Sequence, residues 1–240
     1  MKKKTTENGK TAGGRPVEPQ DSQRERSQVQ ETAKPFPIVG LGASAGGLEA
    51  LKTFFTHVSK DSGMAYIVVV HMTPKQPSMM PDLLQKVAPI PVSAAKDGEV
   101  IQPDQVYIIP PDREITIFKG RIQLLDTVKK GLSLPIDLLL RSLAQDQENN
   151  AAAVILSGTG TDGTLGVKEI KANDGLVLVQ SEESAGYDGM PRSAIGTGLV
   201  DMVLAPEGMP EKLRQYFAHP QTTFGRKPAG KSAPPAGEDR

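Results

Sequence analysis

Between Pro35 and Ala218 the chain alternates short runs of consecutive apolar residues with longer segments whose apolar positions recur every three or four residues. The short runs are Phe36–Gly40, Tyr66–His71, Pro91–Ala95, Ala153–Ser157, Leu176–Gln180 and Met202–Ala205. They are apolar throughout rather than at alternate positions, which predicts strands covered on both faces. Gly47–Val58 places Leu48, Leu51, Phe55 and Val58 on one helical face, and Pro81–Val87, Pro135–Gln147, Leu165–Asn173 and Pro206–Phe217 are further predicted helices. Strands alternating with helices predict an α/β fold: a doubly wound, Rossmann-like, mostly parallel sheet with helices on both faces. Val106–Ile109, Glu114–Phe118 and Arg121–Asp126 follow a different alternation, and Lys119-Gly120 joins the last two as a hairpin. That hairpin is expected to form a small antiparallel addition to the sheet.

Residues 1–34 and 219–240 show neither periodicity nor enough apolar residues to offset the entropy of ordering, and are predicted to be disordered tails. Residues 35–218 are then one domain. The 28 basic and 28 acidic residues balance over the whole chain, but residues 35–218 hold 16 basic against 21 acidic ones. An acidic body matches a nucleic-acid backbone poorly, so no nucleic-acid partner is expected. The chain has no cysteine, which removes disulfides, thiolate nucleophiles and Cys-ligated zinc. No His/Asp/Glu cluster has metal-ligand spacing, and neither a metal nor a cofactor is expected. The N-terminus lacks the apolar core of a signal peptide, and no apolar run is long enough to span a membrane, so a cytoplasmic location is expected.

The first strand runs into Val39-Gly-Leu-Gly-Ala-Ser-Ala-Gly-Gly47 and then a helix. Read as Gly40-x-Gly42-x-x-x-Gly46, this is a nucleotide loop, but its expected acid at the end of the second strand is replaced by His71. Read as Gly42-x-Ser44-x-Gly46, it is a nucleophile elbow. His71 ends the second strand as a candidate base, and Asp162 lies in the Gly-rich turn Gly158-Thr-Gly-Thr-Asp-Gly163 as its candidate orienting acid. Backbone N–H groups of that turn are candidates to face a developing oxyanion. Each residue also has a purely structural reading: Ser44 and Asp162 as helix N-caps, His71 as a satisfied strand-end histidine. What joins them is that all three fall at C-terminal strand ends, where a doubly wound sheet gathers its ligands. His57 beside the first helix and His219 at the tail are less well placed, and Arg192 reads by itself as solvated loop charge.

Ile38–Ala50, Val69-Val-His-Met72, Ala95-Lys-Asp-Gly-Glu99, Val106-Tyr-Ile-Ile-Pro-Pro111, Leu156–Gly163 and Gly189-Met-Pro-Arg-Ser-Ala194 together resemble the catalytic domain of the chemotaxis protein-glutamate methylesterases of CheB type. The resemblance covers about residues 36–215. It implies hydrolysis of glutamate γ-methyl esters on the cytoplasmic helices of methylated chemoreceptors and, in some members, deamidation of receptor glutamines. It assigns Ser44 as nucleophile, His71 as general base and Asp162 as orienting acid, with backbone N–H groups at Thr159 and Ala45 holding the oxyanion. Met190 and Arg192 fall in the corresponding substrate loop. The sequence departs from the common pattern at Ala45, where many members carry Thr, and at Leu132-Ser-Leu-Pro-Ile-Asp137. No receiver-like segment precedes the first strand, so no response to small phosphodonors is expected. The motifs are most similar to the branch fused to methyltransferase and sensory modules, which makes such modules candidate partners. Two other classes stay open: a catalytically silent module docking on receptor or methyltransferase, and a nucleotide-binding protein using Gly40–Gly47.

Overall fold

A computed structural model describes residues 35–71, 79–127 and 134–218; the two predicted tails, and Leu132-Ser133 of the departing motif, lie outside these residues. Seven strands form one sheet: β1 (Ile38–Ala43), β2 (Ala65–Val70), β3 (Val92–Ala94), β4 (Gln105–Ile108), β7 (Ala151–Ile155), β8 (Leu176–Gln180) and β9 (Met202–Leu204), with β5 (Arg113–Phe118) and β6 (Arg121–Asp126) forming a separate hairpin. The sheet order is β3-β4-β2-β1-β7-β8-β9, and every pairing in it is parallel. Val106–Ile109, despite its different alternation, belongs to the parallel sheet. Its residues 106–108 lie in β4, an inner strand hydrogen-bonded on both sides, and their apolar run satisfies two covered faces.

The strands are buried because each face carries its own core. Odd-numbered β1 residues Val39, Leu41 and Ala43 join α1 (Gly47–Thr56), α2 (Met80–Gln85) and α6 (Met209–Ala218) on one side. Ile38, with the complementary positions of β2, β7 and β8, joins α3 (Pro135–Gln147), α4 (Thr164–Ala172) and the hairpin on the other. This period-two division is what pleated strands buried on both faces require. The hairpin turns through Lys119 (φ 51°) and Gly120 (φ 66°), both left-handed as a two-residue turn of this type needs. The carboxylate of Asp146 in α3 accepts the N–H groups of both turn residues, which fastens the hairpin over that helix.

The first strand is longer than its sequence suggests. Gly40 and Gly42 lie inside β1 and face α3. A Cβ on Gly40 would stand 2.7 Å from Leu140 Cδ2, and one on Gly42 would stand 2.5 Å from Ile136 Cγ2. These glycines let α3 approach the strand; they are not the exposed glycines of a phosphate loop. The direction of winding reverses between β1 and β7, since the fold adds β2 and β4 on one side of β1 and then returns to place β7 on the other. Ligands of doubly wound sheets gather at the C-terminal strand ends of such a switch point.

Candidate active site

Ser44 leaves the sheet at the end of β1, and the turn from Ser44 to Gly47 is tight because Gly46 adopts φ 71° and Gly47 N–H donates to Ser44 C=O at 2.9 Å. The β1–β2 register pairs Ala43 with Val70, and His71 N–H donates to Ala43 C=O at 3.1 Å. Ser44 and His71 thus step off neighbouring strands side by side. On the other flank the register pairs Gly42 with Ile155, and Ser44 N–H donates to Ser157 C=O at 3.0 Å. Gly158 lies against Ser44: a Cβ there would stand 2.8 Å from Ser44 Cβ and 2.3 Å from Met190 Sδ.

His71 Nε2 and Asp162 Oδ2 are 2.8 Å apart, with the histidine side chain 32% exposed and Asp162 only 3% exposed. Asp162 precedes α4, yet its carboxylate does not cap that helix. Oδ2 accepts Ile136 N–H at 2.9 Å, and Oδ1 accepts Asp137 and Gly163 N–H at 2.9 Å each. Ile136 and Asp137 are in the first turn of α3, which has no capping side chain at its own Leu134. Asp162 is therefore an N-cap supplied from another element, and the first-turn N–H groups of α3, which have no partner within their own helix, fix its orientation.

Asp137 returns the arrangement. It is 4% exposed, and its Oδ1 accepts Gly166 N–H, in the first turn of α4, at 2.7 Å. Burial raises the Asp137 pKa above the ordinary aspartate value, the Gly166 hydrogen bond opposes that rise, and the neighbouring Asp162 charge adds to it. Two helices are thus capped crosswise by each other's acids. A Cβ on Gly166 would stand 2.5 Å from Leu140 Cβ, so the helices cross at close range.

The turn after β7 is braced by the segment Gly186–Ser193. Gly158 N–H donates to Tyr187 C=O at 2.9 Å and Met190 N–H donates to Gly158 C=O at 2.8 Å. Because peptides are trans and planar, a carbonyl fixed in one direction turns the following N–H the opposite way. Gly158 C=O on Met190 so orients Thr159 N–H, and Ser44 C=O on Gly47 so orients Ala45 N–H. Among the described residues, neither N–H donates a hydrogen bond. Met190 is buried in the first turn of α5 (Gly189–Ile195), so the expected substrate loop is here the start of a helix. Arg192 is exposed and pairs with Glu182 at 2.8 Å and Asp188 at 3.1 Å, contacts that raise its pKa. His57 caps the C-terminal end of α1, the helix that Ser44 precedes, with Nδ1 2.8 Å from Thr53 C=O.

Sequence reasoning did not single out Asp137, Ser157 or Gln180 as parts of this site. Ser157 Oγ donates to Ala45 C=O at 2.8 Å and accepts Tyr187 N–H at 3.0 Å, while its N–H donates to Gln180 Oε1 at 2.8 Å. The available signal was a polar residue closing each wholly apolar run, Ser157 after Val154-Ile-Leu156 and Gln180 after Leu176–Val179. Among the described residues, no group of three or more His, Asp or Glu could hold a metal ion, and no helix is long and apolar enough to cross a membrane.

The family model for the CheB methylesterase matches residues 39–213. The protein-glutamate methylesterase/protein-glutamine glutaminase of the group 3 operon of Rhizobium meliloti is 32% identical over 191 residues, 78% of this chain and 54% of that protein. A putative protein of the same description from Leptospira interrogans is 32% identical over 178 residues, 73% of this chain and 92% of that protein. An uncharacterized 104.1 kDa protein of Rhodobacter capsulatus is 35% identical over 165 residues, 67% of this chain and 17% of that protein. The chain thus spans about half the length of the Rhizobium relative and about a sixth of the Rhodobacter one. The crystal structure of the Thermotoga maritima CheB methylesterase catalytic domain superposes with a TM-score of 0.70 at 32% identity, covering 75% of this chain and 98% of that one. With residues 39–213 matched by the family model and the fold shared with a solved catalytic domain at 32% identity, the chain belongs to the CheB methylesterase family.

Proposed function

We propose that this domain hydrolyses glutamate γ-methyl esters on chemoreceptor helices as a serine esterase, with Ser44 as nucleophile, His71 as general base and Asp162 as the acid that orients the base. The observation that carries this reading is the 2.8 Å contact between His71 Nε2 and a buried Asp162 carboxylate, with His71 standing beside Ser44 at the ends of adjacent strands. Asp162 holds the imidazole with its proton on Nε2, which leaves the Nδ1 lone pair for the serine proton. Ser44 Oγ bonds to the ester carbon as His71 takes its proton, and the carbonyl electron pair moves onto oxygen. Ala45 and Thr159 N–H groups face that oxyanion. Collapse expels methoxide, which leaves as methanol with the proton from His71. Water then attacks the acyl-enzyme by the same route, releasing the glutamate carboxylate and restoring Ser44.

The relatives' names include protein-glutamine glutaminase, which supports a second substrate for the same groups. With an amide in place of the ester, the His71 proton leaves on ammonia. Met190 and Arg192 belong to the proposed substrate loop, Met190 holding it against Gly158 from within and Arg192 remaining at its surface. The Rhodobacter relative, of which the chain spans 17%, supports a setting in which such a domain works beside fused modules. The test is methanol release from a methylated receptor fragment: the wild-type chain should release it and Ser44→Ala should not.

A further inference from the structure

Resting on that esterase reading, we infer that Ser157 is a positioning residue that sets the oxyanion donors on both sides of the site. Three successive peptide planes surround the nucleophile. The Ala43–Ser44 plane is fixed where Ser44 N–H donates to Ser157 C=O at 3.0 Å, and the Ser44–Ala45 plane where Gly47 N–H meets Ser44 C=O at 2.9 Å. The Ala45–Gly46 plane is fixed where the Ser157 hydroxyl donates to Ala45 C=O at 2.8 Å. Two of the three pins come from Ser157. With the planes on both sides of Ala45 held, its φ and ψ are determined, and so is the direction of its N–H.

The same hydroxyl accepts Tyr187 N–H at 3.0 Å. Tyr187 C=O takes Gly158 N–H at 2.9 Å, and Gly158 C=O takes Met190 N–H at 2.8 Å, which fixes the plane bearing Thr159 N–H. One oxygen therefore links the Ala45 donor to the segment that sets the Thr159 donor. Ser157 is itself only 1% exposed, and its N–H is held by Gln180 Oε1 at 2.8 Å, with Gln180 Nε2 donating onward to Ser184 C=O at 2.9 Å. A side chain at position 46 would stand 2.8 Å from Ser157 Oγ, so glycine there admits the clamp. Oxyanion donors act through fixed placement relative to charge that develops only in the transition state. Loosening them should lower turnover and leave ground-state binding intact.

The experiment measures kcat and KM for methyl-ester hydrolysis by the full chain, and Ki for a trifluoromethyl ketone analogue of the glutamyl ester. Ser44 Oγ adds to that ketone's carbonyl carbon as its proton passes to His71, and the carbonyl electron pair moves onto oxygen as the oxyanion. Ser157→Ala should lower kcat by about ten- to a hundredfold with KM within about twofold, since loss of one oxyanion donor costs about a hundred- to a thousandfold. Ki should rise by the same factor as kcat falls. Ser157→Cys, close in size but a weak donor, should lose about tenfold in kcat and tests the idea should the alanine variant not fold. Ser157→Thr, which keeps the hydroxyl, should restore kcat. Unchanged kcat in folded Ser157→Cys, a loss confined to KM, or a threonine variant as slow as alanine would overturn the inference. A wild-type chain releasing no methanol would overturn the esterase reading and the inference with it, whereas an active wild type with an equally active Ser157→Ala removes only the role of Ser157.

Discussion

Two serines stand at the same height on neighbouring strands, and the fold uses them in opposite ways. Ser44 lies two residues beyond Gly42 on β1, and Ser157 two beyond Ile155 on β7, the pair that sets the register between them. Each precedes a Gly-rich turn and a helix. Ser157 is sealed from solvent, its hydroxyl nearest to Ala45 C=O at 2.8 Å with Tyr187 C=O a longer acceptor at 3.3 Å, and accepting one N–H. Ser44 is partly exposed, its N–H and C=O are pinned, and its hydroxyl makes no hydrogen bond among the described residues. The two turns account for the difference. Beyond Ser44 the chain enters α1 within three residues, which keeps the side chain at the sheet edge. Beyond Ser157 a longer turn is covered by Tyr187–Met190, which buries the serine and carries Asp162 toward α3.

The largest effect that would sharpen this contrast is on turnover. Ser44→Ala should reduce methanol release by about a millionfold, the loss seen when a serine hydrolase loses its nucleophile, with the thermal melting midpoint unchanged. Asp162→Asn should lower kcat by about ten-thousandfold through the wrong imidazole tautomer, while His57→Gln leaves kinetics unaltered. Asp162→Ala should in addition destabilise the fold by about 3 kcal/mol or more in denaturant titration, because it leaves three buried N–H groups unpaired at once. A small stability loss there would show that α3 does not depend on its foreign cap.

Gly42→Ala should cost about 1–3 kcal/mol by denaturant titration, since its Cβ would press on Ile136 beside the Asp162 cap. The smallest expected effect is a pH dependence. Asp137 has its pKa raised in the fold by burial and by the Asp162 charge, against the Gly166 hydrogen bond, so the folded state binds more protons than the unfolded one between the two values. Stability contributed by this group is then present below the unfolded aspartate pKa and is lost as pH rises through the folded one. Asp137→Asn keeps an oxygen for Gly166 N–H and removes that loss. Melting midpoints of wild type and variant should draw apart as pH rises from the ordinary aspartate range, the variant gaining; a gap constant with pH would contradict the crosswise charge arrangement.

The α/β class, the order of strands and helices and the Lys119-Gly120 turn were legible because each depends on local pattern. Strand limits were less so. Gly40 and Gly42 look like loop residues until α3 is placed over them, since the reason for a glycine there is a helix nearly a hundred residues away in sequence. The different alternation of Val106–Ile109 did not reveal its place in the parallel sheet for a like reason, since alternation does not tell which neighbour a strand will pair with. At the site, Ser44, His71 and Asp162 were readable as candidates at strand ends. The fold brings His71 against Asp162 and steps Ser44 out beside His71. The cap that Asp162 makes on α3, the return cap from Asp137 and the Ser157 clamp were not readable, because each joins residues more than 20 positions apart through backbone N–H or C=O groups that every sequence possesses.

The partly exposed serine, and not the sealed one, is the proposed nucleophile. Treating the full chain with a fluorophosphonate and mapping the adduct by mass spectrometry tests this directly, because only an activated serine hydroxyl displaces the fluoride. The account expects stoichiometric label on Ser44, none on Ser157, and no label in Ser44→Ala or, at comparable times, in His71→Gln. An unlabelled wild-type protein, or label retained in Ser44→Ala, would contradict it.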